Sequence, residues 1–162
     1  MITVRNLQKN LSLNPVSVKN TIRNILKACL PAGKACRACE AELTVVFVSR
    51  QKIAALNQRF LGRACATDVL AFDLREHRRG HLRGDVIIST DAVIQQAKAF
   101  GQSHSRELAL YMIHGILHLL GYDDHRPKDI VKMRKEEERI LCHCERSEAI
   151  SGLLRRLRSS SQ

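Results

Sequence analysis

The hydrophobic and polar positions of the chain follow two periodicities in turn. Short apolar runs rich in β-branched residues are typical of strands, and apolar residues that recur every three or four positions are typical of helices. The segment 42–49 is nearly continuous in apolar character, as expected of a buried strand. The pattern predicts strands over 2–7, 42–49, 68–72 and 85–89, and helices over 15–30, 50–61, 91–100, 105–120 and 128–142.

The interleaving of these strands and helices predicts a single α+β domain, for which a chain of 162 residues is long enough. We expect a small, mostly parallel or mixed sheet packed against helices. The helix over 105–120 is apolar almost all round, so we place it at the buried centre. The folded domain is expected over 1–141. Residues 142–162 are expected to be a basic and poorly ordered C-terminal extension.

Charge is the unusual feature of the composition. The chain has 27 Lys and Arg against 16 Asp and Glu, a formal net charge of +11. This bias favours a polyanionic partner, with nucleic acid ahead of an anionic membrane. No apolar stretch is long enough for a transmembrane helix, and the first residues lack the layout of an export signal. We therefore expect a cytoplasmic protein with no membrane partner.

The six cysteines are expected to be reduced thiols in that compartment. Four of them could in principle form a structural zinc site, because Cys36 and Cys39 form one close pair and Cys142 and Cys144 form another. Placement of the pairs in a loop and in an irregular tail favours ordinary free thiols.

The candidate chemistry lies at the end of the central helix, in the segment His114-Gly-Ile-Leu-His118-Leu-Leu-Gly121-Tyr-Asp-Asp-His125. Positions four apart share one helix face, so His114 and His118 can reach one point. Gly121 can take the left-handed conformation that turns the chain back and brings His125 toward the same point. Three imidazoles would leave the fourth position of a tetrahedral zinc ion open, as in catalytic sites.

Two known patterns resemble this segment. The metallopeptidase signature HExxHxxGxxH needs a Glu as general base, and that position is Gly115 here, which cannot move a proton. The YbeY-type family of bacterial rRNA maturation endoribonucleases, with a pattern close to HGxLHLxGYDH, is much more similar. Its other blocks have counterparts in the same order, namely Asn57-Gln-Arg59-Phe60, Thr67-Asp-Val-Leu-x-Phe72, Gly84-Asp85-Val-Ile-Ile-Ser, Met133 and the Glu136–Glu138 run.

The resemblance implies a metalloprotease-like fold and a zinc-dependent endoribonuclease that selects single-stranded RNA. It implies a role in 16S rRNA 3′-end maturation and ribosome quality control, with an rRNA precursor as substrate and the small ribosomal subunit as partner. It also implies one zinc ion per chain, bound by His114, His118 and His125. The chain has one residue more than the short pattern, so Asp124 occupies the position ten residues after His114 and is the alternative third ligand. We favour His125, because a neutral nitrogen donor suits zinc well.

The remaining site residues are predicted from their chemistry and from the same resemblance. Besides His114, the catalytic residue is Arg59, whose planar fork matches two phosphate oxygens and which the family places near its site. Asp85 is expected to accept a hydrogen bond from a ligand imidazole. A basic loop is expected to hold the RNA backbone through Arg75, Arg78, Arg79 and Arg83.

Two other functions remain open at this point. One is a zinc-dependent hydrolase of peptide or amide bonds, which the absence of the motif Glu disfavours. The other is a non-catalytic ribosome assembly factor in which zinc has only a structural role.

Overall fold

The computed structural model describes residues 1–29, 41–76 and 81–154. The elements in chain order are β1 (Ile2–Asn6), α1 (Pro15–Cys29), β2 (Glu42–Val48), α2 (Arg50–Leu61), β3 (Val69–Asp73), β4 (Arg83–Ser89), α3 (Thr90–Phe100), α4 (His104–Leu119) and α5 (Pro127–Arg146). The strands form one sheet in the order β1-β2-β4-β3. β1 and β4 run parallel to β2, and β3 runs antiparallel to β4. The expected α+β class and the mostly parallel, mixed sheet are confirmed.

Serine residues cap the start of several helices, and a glycine ends one of them, close to the predicted boundaries. Ser49, Ser89 and Ser103 each accept a hydrogen bond from a backbone N–H in the first turn of α2, α3 and α4. Gly62 ends α2 with φ of 68°, a left-handed conformation that favours glycine. These local signals are readable from the sequence, so the helix limits agree with the predicted ones to within a few residues.

The sheet has a small core on one face and a large core on the other. On the first face α2 packs against the sheet through Ile53, Val48 and Leu70. On the second face α1, α3, α4 and α5 share one extensive apolar cluster, and α4 lies between the sheet and the outer helices. The centre of α4 is fully buried at Met112, Ile113 and Ile116, which confirms that this helix is central.

α4 approaches the sheet very closely because each side of the interface has a glycine that faces a larger residue of the other side. A Cβ built on Gly115 would lie only 2.4 Å from Cγ1 of Val86 in β4. A Cβ on Gly84 would lie 2.9 Å from the methyl carbons of Leu119. Any larger residue at these points would push the histidine-bearing helix away from the sheet.

The packed part of the chain extends past the expected limit at residue 141. α5 continues to Arg146, and Cys144, Ile150 and Leu153 are buried in the main core. Leu154 also forms a β-bridge with Leu13. The first part of the expected extension therefore belongs to the domain, because its apolar residues have a place in the core. Residues 155–162 of the expected extension lie outside the described residues.

Within the described ranges, no helix has both the length and the apolar character needed to cross a membrane.

Candidate metal centre

Two histidines on the last turns of α4 form the base of the site. The Nε2 atoms of His114 and His118 are 3.0 Å apart, and the two rings meet edge to face with their centroids 4.6 Å apart. Their side chains are 23% and 27% exposed. The i, i+4 spacing predicted this convergence, and the partial exposure leaves the paired nitrogens reachable from solvent.

The other nitrogen of each ring has a hydrogen-bond acceptor. His114 Nδ1 lies 2.6 Å from Oε1 of Glu137 in α5, and His118 Nδ1 lies 3.1 Å from the carbonyl oxygen of Tyr122. With both Nδ1 atoms donating, the neutral rings carry no proton on Nε2. Two nitrogen lone pairs then face each other at 3.0 Å, an arrangement that a cation between them relieves.

Asp124 supplies the third donor of this group. Its Oδ2 lies 3.8 Å from the Nε2 atoms of both His114 and His118. Ligands about 2.1 Å from a tetrahedral zinc ion lie about 3.4 Å from one another. The three donor–donor distances, 3.0, 3.8 and 3.8 Å, bracket that value. The residues therefore fit a divalent ion bound by two imidazoles and one carboxylate.

His125, which was favoured as the third ligand, lies at the rim instead. Its side chain is 72% exposed, and its Nδ1 is hydrogen-bonded to Oδ1 of Asp123. Gly121 has φ of 94° and turns the chain back over α4, so that the tenth residue after His114 faces the histidine pair. That residue is Asp124. Because the chain has one residue more than the short pattern, His125 lies beyond the pair formed by His114 and His118. In the described part of the chain, the group that includes both helix histidines is completed by Asp124.

The surroundings shift the pKa values of the two helix histidines in opposite directions. Burial lowers the pKa of His114, but the hydrogen bond to Glu137 and the nearby carboxylates outweigh it and raise the pKa above its ordinary value. Burial lowers the pKa of His118, and so does the charge of His114 whenever that ring is protonated, against the opposing effect of Asp124. The lowered pKa favours the neutral form of His118, which is the form that can bind a metal.

Gly115 excludes the general base of a metallopeptidase for a reason beyond its missing side chain. Because the Cα of Gly115 faces Val86 and Val69, any side chain at this position would point into the sheet. A Glu there could not lie beside the histidine donors without displacing α4. The close helix–sheet contact is thus incompatible with the HExxH arrangement.

The donors line one end of an open cavity of about 540 Å³. The cavity runs between the end of α2, the loop that follows it and the end of α4. Its walls include Asn57, Leu61, Arg63, His118 and Asp124. The donor group is therefore open to a ligand that enters this cleft.

Arg59 and Asp85 do not take the positions expected of them. The Arg59 guanidinium lies over the ring of Phe60, 5.6 Å from its centroid, and Arg59 is not among the described residues that line the cleft. Asp85 contributes to a separate cavity near Met1, and the neighbouring Val86 is the residue that faces α4. Because side chains alternate along a strand, Asp85 points to the opposite face of the sheet. The hydrogen bond expected from Asp85 is made by Glu137.

The basic loop also differs from expectation where it is described. Arg75 pairs with Asp73 at 2.7 Å and donates to the carbonyl oxygen of Leu119 at 2.5 Å, so it holds the C-terminal end of α4. Its side chain is only 10% exposed, which is unsuited to contact with an RNA backbone. Arg83 pairs with Glu42 at 3.2 Å on the surface. Arg78 and Arg79 lie outside the described residues.

The described pair of cysteines, Cys142 and Cys144, gives no support to a second metal site. Cys144 is buried in α5 while Cys142 is exposed, because residues two apart on a helix point in different directions. Burial raises the pKa of the Cys144 thiol to about 11, which disfavours the thiolate that a metal needs. Cys36 and Cys39 lie outside the described residues.

Two residues of the site were missed in the sequence, although each has a signal there. Glu137 shares the inner face of α5 with the buried residues Met133, Ile140 and Leu141, and a carboxylate on an apolar face indicates a buried partner. Arg63 follows the helix-ending Gly62 directly, so it begins the loop that borders the cleft.

Comparison with known proteins identifies the family of this chain. The family model described as endoribonuclease YbeY matches residues 3–145. A protein named endoribonuclease YbeY from Carboxydothermus hydrogenoformans is 33% identical over 141 residues, which cover 87% of this chain and 95% of the relative. One of the same name from Desulforamulus reducens is 35% identical over 147 residues, covering 86% and 94%.

A solved structure is also similar over its whole length. The solution structure of TM1509 from Thermotoga maritima is 26% identical, with a TM-score of 0.57, and the match covers 100% of both chains. The fold of this chain thus has a solved counterpart over its whole length.

Proposed function

This chain belongs to the endoribonuclease YbeY family, and we propose that it is a zinc-dependent endoribonuclease that cleaves single-stranded RNA. The observation that carries the proposal is the convergence of His114, His118 and Asp124 at the wall of an open cleft. Donors at a cleft wall leave a bound ion open to substrate, as a catalytic metal requires.

The ligands His114, His118 and Asp124 would hold the metal and determine the net charge of the metal site. Two neutral imidazoles and one carboxylate leave a divalent ion with a net charge of about +1, which attracts a phosphate. Glu137 fixes the ring of His114, and the Tyr122 carbonyl oxygen fixes that of His118. When bound, zinc supplies a Lewis acid that activates water and polarises a phosphoryl oxygen.

We propose that the RNA is an rRNA precursor, cleaved during 3′-end maturation of 16S rRNA and in ribosome quality control. Such a substrate places the enzyme in the cytoplasm, in contact with the small ribosomal subunit. The net charge of +11 supports an RNA partner. Aromatic residues make up only 4% of the chain, so we expect recognition through the phosphate backbone with little base stacking.

Two features disfavour the other functions. A peptidase base at position 115 has no room beside β4. A purely structural zinc is normally enclosed by four protein ligands, whereas the Asp124 side chain is 42% exposed and borders the cleft.

The test is cleavage of matched single-stranded and double-stranded RNA by the zinc-loaded protein. We expect the single strand to be cut and the duplex to persist, and His114→Ala to lose both zinc and cleavage while remaining folded. His104→Ala is the matched control, because it lies on the same helix about 15 Å away along the axis.

Cleavage by His114→Ala at the rate of His104→Ala would contradict the proposal. Unfolding of His114→Ala would indicate instead that the metal has a structural role. Circular dichroism of both variants separates these two results.

A further inference from the structure

Arg63 lies beside the metal donors in the wall of the cleft. Of the described residues that line the cleft, it is the single Arg or Lys, whereas Asp68 and Asp124 contribute carboxylates in addition to Asp73, which is paired with Arg75. A phosphodiester bound against this acidic wall needs a compensating positive group close to the scissile phosphate. The proposed function leaves this requirement unmet, because Arg59 is not among the described residues that line the cleft.

The local structure holds Arg63 at the cleft. Gly62 donates from its backbone N–H to the carbonyl oxygen of Gln58 at 3.1 Å and turns the chain sharply at the end of α2. Asn57, only 3% exposed, donates from Nδ2 to the carbonyl oxygen of Cys65 at 2.8 Å. Arg63 is therefore carried on a short loop that is anchored to α2 on both of its sides.

Arg63 lines the same cleft as the three metal donors His114, His118 and Asp124. A phosphate between a metal ion bound by those donors and the Arg63 guanidinium would meet positive charge on two sides.

We propose that Arg63 is a catalytic residue that grips the scissile phosphate of the RNA. The proposal rests on the endoribonuclease function proposed above. The Arg63 side chain is exposed and its planar guanidinium can donate to two phosphate oxygens at once. Charge redistributes over those oxygens as the phosphodiester breaks, so a donor held in place lowers the barrier. Arg59, in contrast, stacks on Phe60.

The test combines cleavage with binding, using Arg63→Ala, Arg63→Lys and the control Lys52→Ala. Lys52 is an exposed cation in the first turn of the same helix, far from the loop. We expect Arg63→Ala to lower kcat on single-stranded RNA by about 100-fold. Arg63→Lys should recover only part of this, because lysine keeps the charge and loses the bidentate fork.

Binding is measured with single-stranded DNA of the same sequence, which offers the same phosphates. We expect the dependence of log Kd on log salt concentration to be flatter by about 0.7 in Arg63→Ala. Arg63→Lys should keep the wild-type slope because the charge is retained, and Lys52→Ala should keep it because Lys52 lies at the opposite end of α2.

The proposal is overturned if Arg63→Ala keeps the wild-type salt slope, or if it cleaves RNA as fast as the wild type. Loss of cleavage in Arg59→Ala but not in Arg63→Ala would return the role to Arg59. If the wild-type protein cleaves no RNA, the nuclease function fails, and the salt slope still decides whether Arg63 holds a phosphate.

Discussion

Removal of the Glu137 carboxylate should weaken metal binding without unfolding the protein. Glu137 Oε1 lies 2.6 Å from Nδ1 of His114, and the Glu137 side chain is 14% exposed. This bond keeps the Nδ1 proton in place and leaves Nε2 as the metal donor. Without it the ring can rotate, and the tautomer that presents a protonated Nε2 becomes accessible.

The size of the effect follows from the geometry of the bond. Hydrogen-bond partners of metal-binding histidines are typically worth about 10- to 100-fold in metal affinity. The Glu137 bond is short, charge-assisted and largely shielded from water, so we expect the upper part of that range. A 100-fold loss corresponds to about 2.8 kcal/mol. Glu137→Gln keeps an acceptor without the charge and should lose about tenfold.

Zinc affinity is measured by competition with a chromophoric chelator at neutral pH. Glu138→Ala is the matched control, because it removes the adjacent carboxylate of the same helix from an exposed position. Circular dichroism confirms that each variant is folded. If Glu137→Ala binds zinc as tightly as Glu138→Ala, the hydrogen bond does not orient a metal ligand, and the account of this centre is wrong.

Three further results are expected. Gly115→Ala should lower the free energy of unfolding by about 1–3 kcal/mol, since its Cβ would lie 2.4 Å from Val86; an unchanged denaturation midpoint would refute the close contact. A strong zinc chelator should abolish RNA cleavage and added zinc should restore it, whereas persistent activity would exclude the metal mechanism. Arg139 lowers the pKa of Glu136 through a hydrogen bond, so this pair stabilises the fold above the ordinary pKa of 4.5 and less as the pH falls through the lowered value. Arg139→Met should therefore lower the free energy of unfolding at neutral pH by about 0.5 kcal/mol, which is seen as a lower Tm. The difference in Tm from the wild type should shrink in acid, and a pH-independent difference would contradict this.

The elements and the histidine pair could be predicted because local patterns determine them. Apolar spacing, serine caps and helix-ending glycines depend on residues close in sequence, and so does the i, i+4 placement of His114 and His118. The mixed sheet was likewise predicted from the order of strands and helices. Long-range contacts were not needed for any of these conclusions.

The parts that sequence reasoning missed depend on contacts between distant segments. The choice between Asp124 and His125 depends on the path of the turn after Gly121, which spacing alone leaves open. The bond between His114 and Glu137 requires α5 to pack against α4, 23 residues later. Asp85 was misplaced because the strand pattern does not show which face of the sheet α4 covers.

The central claim is that two histidines and Asp124 hold one metal ion, and metal stoichiometry tests it most directly. Purified wild type, Asp124→Ala and His125→Ala are loaded with zinc, passed through a desalting column and measured for zinc per chain. We predict one zinc in the wild type and in His125→Ala, and little or none in Asp124→Ala. Retention of zinc by Asp124→Ala together with its loss from His125→Ala would contradict the account and return the third ligand to His125.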